Sequence, residues 1–155
     1  MKLKTWQKNV LSAILIAASG FILFNIAFML AAGTIWTCNW IVSLFTGKMD
    51  MAVNSIYGAL VFVLIMLVAS WFIFKSKLKP IFKAIYLPMP LMVVLIFIGV
   101  LLFHLPQWVP ISIGAVIIAS ILFFLYKKKL SWLYYFATLY TGAMALYVVI
   151  GGIEI

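Results

Sequence analysis

Lys75-Ser76-Lys77-Leu78-Lys79-Pro80-Ile81-Phe82-Lys83 puts four cations into nine residues between two long uncharged runs, 51–74 and 84–126. Two further clusters, Lys2/Lys4/Lys8 and Lys127/Lys128/Lys129, stand on the far sides of those runs, so ten of the eleven lysines fall in three short patches. Cytoplasmic loops of membrane proteins retain Lys and Arg, and the uncharged turns between the patches then belong outside. The spacing predicts an all-α polytopic integral membrane protein in a single bundle, residues 1–155. It has five transmembrane helices and a short outer interfacial segment after the first.

Working outward from the central patch, the second span is expected over Ala52 to Phe74 and the third over Ile85 to Phe103. Pro80 bars a continuous helix through the patch, and Ile81 and Phe82 can dip into the acyl boundary while the lysines reach for the headgroups. Pro88 and Pro90 fall in the first turns of the third span, where missing backbone donors are best tolerated. Its lack of polar side chains between Leu91 and Phe103 suggests a helix facing lipid over most of its circumference. His104-Leu105-Pro106-Gln107-Trp108-Val109-Pro110 reads as a turn. The fourth span is Val109 to Tyr126, and the fifth runs from Trp132 to about Ile153.

The N-terminal third is harder to divide, because the 39 residues from Asn9 to Gly47 carry no charge. One span, Val10 to Ala32, is expected to break at Gly33 into an outer-surface segment, Thr34 to Phe45, with Trp36 and Trp40 at headgroup level. Two spans there would move Lys75 to Lys83 outside, against the charge rule. The first span exceeds the ~7–15 apolar residues of a signal peptide and is read as a retained anchor. The location that follows is a bacterial-type cytoplasmic (plasma) membrane, multi-pass, with the N-terminus inside and the C-terminus outside.

Composition agrees. A mean hydropathy of +1.30, with 68% hydrophobic and 8% charged residues, leaves nothing for a water-facing shell, where about a quarter of residues are charged. The net charge of +9 comes without a single Arg, which argues against nucleic acid as a partner. Anionic lipid headgroups on the inner face suit it better, with Lys75, Lys77, Lys79, Lys83, Lys127, Lys128 and Lys129 as the contacts. Other membrane proteins, or further copies of this chain, are the remaining partners expected.

Candidate chemistry is sparse. Asp50, His104 and Glu154 would share the outer side and form a cation or proton site if they converged. Solvated turns and tails are the plainer account of them. Asn25, Tyr57 and Tyr147 would lie at similar depth in three spans, as a polar layer lining a pocket or hydrogen-bonded across helices, with Asn25 inside the bundle. Small residues four apart, Ala13/Ala17, Ala27/Ala31, Ala115/Ala119 and Ala137/Thr141/Ala145, mark helix contact faces. Tyr140, Met144, Tyr147 and Gly151 share one face of the fifth span, expected to point inward or at a partner.

One Cys, one His, one Asp and one Glu exclude an intrachain disulfide, a multi-cysteine metal site, bis-histidine haem ligation and an embedded aspartate pair. No catalytic residue, metal or cofactor is expected. The function expected is that of a non-enzymatic accessory or interaction subunit. The alternative is a small transporter or channel component working as an oligomer through the Asn25/Tyr57/Tyr147 layer. An intramembrane enzyme, needing at least two of Asp50, His104 and Glu154 within hydrogen-bond reach, comes third.

Overall fold

A computed structural model describes residues 5–46, 51–102 and 104–150. Six helices follow one another: α1 (Thr5–Thr46), α2 (Met51–Lys75), α3 (Pro80–Tyr86), α4 (Pro88–Leu101), α5 (Trp108–Lys127) and α6 (Trp132–Ile150), with no strand among the described residues. Four stretches are long and apolar enough to cross a membrane: Thr5–Phe45, Ile56–Lys75, Pro80–Leu101 and Trp108–Lys127.

The central patch folds as a tight elbow. α2 ends at Lys75, Lys79 takes the extended conformation that a following proline favours (φ −59°, ψ 146°), and Pro80 occupies the first helical turn. The third span therefore begins at Pro80, a turn and a half before the expected Ile85. Pro88 and Pro90 then lie inside it and withhold the donors that Ala84 and Tyr86 carbonyls would receive. Leu87 keeps helical dihedrals (φ −55°, ψ −39°) and so joins α3 to α4.

The start of α4 is the centre of the molecule, which corrects, for Leu91 and Met92, the expectation that this span faces lipid over most of its circumference; residues 93–99 are half-buried and Val100 and Leu101 exposed. Pro88, Met89, Pro90, Leu91 and Met92 are all buried, a consecutive run that only a helix surrounded on every side can show. Two apolar clusters flank it. Ile16, Ala84, Leu87, Leu91, Leu125, Tyr134 and Ala137 form one, and Ala27, Phe62, Met66 and Met89 the other. An apolar surface is as much at home against helices as against acyl chains, so its hydropathy could not have told the two apart.

The expected break at Gly33 is absent. α1 continues through it for 42 residues, about 63 Å at ~1.5 Å per residue, or roughly twice the ~30 Å hydrocarbon core. A glycine inside a helix costs only about 1 kcal/mol, and packing on α2 holds the second half: a Cβ on Gly58 would stand 2.9 Å from the Ile35 Cα. So close an approach defines an antiparallel α1/α2 arm.

The arm overshoots the rest. Gly20 sits against Pro88 and Tyr140, and Ile16 shares its cluster with Leu125. Counted from those anchors, the end of α4 and the start of α5 stand level with about residue 33 of α1. The remaining 13 or so residues of α1 continue roughly 20 Å further, accompanied by the start of α2.

Candidate functional site

Lys8 and the two later lysine patches meet at one end of the bundle. Ala84 adjoins Lys83, Leu125 precedes Lys127 by two residues, Tyr134 follows Lys129 by five and Ile16 follows Lys8 by eight; the four apolar residues share one buried cluster. Lys75, Lys77, Lys79, Lys127, Lys128 and Lys129 are exposed there. Lys83 differs, being half-buried, with Nζ donating to the Phe74 and Ser76 carbonyls at 2.7 Å each. These carbonyls close α2, where a helix exposes unpaired acceptors and a partial negative charge, so the ammonium caps the helix and fixes the elbow.

Beside the elbow runs an open groove of about 500 Å³ lined by Leu67, Ser70, Trp71, Phe74 and Lys75. Its lining is apolar apart from Ser70 and the lysine at its end. Ser70 is buried, donates to the Met66 carbonyl at 2.7 Å and lies 3.3 Å from the Tyr86 hydroxyl. Phe74 meets the Tyr86 ring edge-on at a centroid distance of 6.2 Å. Tyr86 thereby ties the groove-bearing face of α2 to α3.

The expected polar layer does not form inside the bundle. Asn25 is exposed and its carboxamide donates to the Phe21 carbonyl of its own helix at 2.8 Å; Tyr57 and Tyr147 are 65% and 66% exposed. The reason is angular, since Asn25 stands two residues before the fully buried Ala27, roughly 200° around the helix from it. The buried carboxamide belongs instead to Asn39, 9% exposed, whose Oδ1 accepts no hydrogen bond among the described residues. Asn39 follows Ile35 by one turn and so lies on the side of α1 that meets α2. That spacing was legible in the sequence, but only once the segment Thr34 to Phe45 was read as helix.

Of the outer ionisable set, Asp50 and Glu154 lie outside the described residues, as does Gly151. His104 is exposed in the turn between α4 and α5. Among the described residues no three His, Cys, Asp or Glu side chains are grouped to hold a metal. Thr138 and Thr141 are fully buried in α6, and each spends its hydroxyl on a carbonyl one turn back, Tyr134 and Ala137, at 2.9 and 2.8 Å. The small cavity between Gly20, Phe24, Pro88, Met92, Tyr140 and Met144 measures about 20 Å³, room for about one water and far below the ~300 Å³ of a ligand pocket.

The small-residue faces divide. Ala27 and Ala137/Thr141 are buried as expected, whereas Ala115 and Ala119 are exposed and α5 turns Gly114 toward Leu95. No known protein family, curated protein or solved structure matches the chain.

Proposed function

We propose that this is a non-enzymatic membrane protein of five spans, with α6 as the fifth, which acts as an interaction subunit by presenting the far end of the α1/α2 arm to another membrane protein or to a second copy. N-terminus in, C-terminus out and a cytoplasmic membrane follow from the lysine distribution. The observation that carries the reading is the arm. Its tip lies about 20 Å beyond the end of α4 and the start of α5, yet Trp36, Trp40, Leu44 and Phe45 are exposed along it, Phe45 at 86%. If those helices mark the bilayer thickness, this apolar surface rises past the hydrocarbon, and covering it with protein is favourable at ~25 cal/mol per Å² of apolar surface.

The bundle interior supports a binding role over a chemical one, because the fully buried Thr138 and Thr141 spend their hydroxyls on carbonyls of their own helix. A transport pathway in the single chain lacks a lining: Asn25, Tyr57 and Tyr147 face outward, so they could border one only between copies.

A photo-crosslinking side chain at Trp40 tests the reading, with the same group at Phe123, an exposed residue of α5, as the reference for a lipid-facing position. Protein adducts are expected at position 40 and lipid adducts at 123. Lipid adducts alone at both positions would remove the interaction reading.

A further inference from the structure

The groove on α2 combines three features that no single face of a lipid-exposed helix requires. Its walls are apolar and include Trp71, 68% exposed, and Phe74. A cation, Lys75, closes one end. A second ammonium, Lys83, is fixed beside that end by its bonds to the Phe74 and Ser76 carbonyls, with one of its three N–H donors uncommitted by them. An ammonium already held in place loses little further freedom on meeting an anion.

We propose that this groove is a binding site for one anionic phospholipid, an acyl chain lying along Leu67, Trp71 and Phe74 and the phosphate between Lys75 and Lys83. The charges choose the occupant: an apolar partner helix would supply no anion to either ammonium, and a zwitterionic lipid would bring its own cation to them. Lys77 and Lys79, exposed on the elbow, add to the local positive field. The site refines the attraction of the lysine patches for anionic lipid that the sequence leads one to expect, and it is independent of the arm.

The experiment uses the full chain in nanodiscs of phosphatidylcholine into which brominated phosphatidylglycerol or brominated phosphatidylcholine is titrated. Bromine quenches tryptophan on contact, and the Trp71 contribution is the difference between the parent chain and Trp71→Phe. Half-quenching of that contribution is expected at a mole fraction of brominated phosphatidylglycerol roughly 25-fold lower than of brominated phosphatidylcholine, about fivefold for each lysine near the phosphate. Lys75→Gln should reduce the preference about fivefold, Lys83→Gln likewise, and Lys8→Gln, on α1, should leave it unchanged.

Equal quenching by the two lipids in the parent chain, or an equal loss of preference in Lys8→Gln and Lys75→Gln, overturns the site. The first outcome needs no lysine variant, so a misfolded Lys83→Gln does not decide the matter. Both leaflets carry the same lipid, which makes the result independent of orientation and separates its failure from failure of the topology.

Discussion

Lys129 ends α5 in the left-handed conformation (φ 48°), a place that glycine fills without strain. The Leu130 amide returns to the Leu125 carbonyl at 3.2 Å and the Lys129 amide to that of Tyr126 at 3.0 Å, the paired bonds of a Schellman ending. Lys129→Gly is therefore expected to raise stability by roughly 0.5–1 kcal/mol, measured as the unfolding midpoint in mixed micelles. A lower midpoint would mean that the lysine's charge outweighs the strain. Asn39 offers a second test at this scale, because a buried carbonyl oxygen without a donor costs about 1–3 kcal/mol. Asn39→Leu should stabilise the arm by about 1 kcal/mol, while Asn25→Leu, which removes only a bond within one helix, should stay within about 0.5 kcal/mol of the parent. Destabilisation by Asn39→Leu would show that its carboxamide holds something across the arm. Both asparagines were visible in the sequence; which one is buried depended on the phase of a helix whose continuation was not foreseen.

Two glycines separate the continuous α1 helix from the expected break. Gly33 has open space where a Cβ would go, so Gly33→Ala should raise helix stability by about 1 kcal/mol if α1 runs straight through it. Gly58→Ala should cost about 1–3 kcal/mol, because the new methyl would press on the Ile35 backbone, which cannot rotate away as a side chain could. Thermal midpoints of the two variants, read together, decide the element: a destabilising Gly33→Ala beside a neutral Gly58→Ala would restore the break and dissolve the arm. The elbow at 76–79 was foreseeable because Pro80 acts locally, through its own ring and missing donor. The arm was not, since a mid-helix glycine is a small cost that distant packing repays.

For the whole molecule, the proposed orientation follows from Lys8, the elbow lysines and Lys127 to Lys129 sharing one end. In a Cys38→Ser background, cysteines at Ser76 and Lys128 are expected to react with an impermeant maleimide only after the cells are opened, and one at Gln107 in intact cells. Reaction at Ser76 from outside would invert the elbow and with it the five-span order. Legible from the chain alone were an all-helical molecule with apolar stretches long enough to cross a membrane, the turns at Pro80 and around Pro106, and the gathering of lysine near helix ends, because each depends on a residue's transfer between water and lipid or on its own backbone. Packing between distant residues set which face of each helix is inside, that the start of α4 is central, that α1 outruns α4 and α5 and that Lys83 caps α2. An apolar side chain meets acyl chains and helix surfaces with nearly the same free energy, so hydropathy cannot rank the faces. Shape complementarity, set by contacts between residues far apart in the chain, makes that choice.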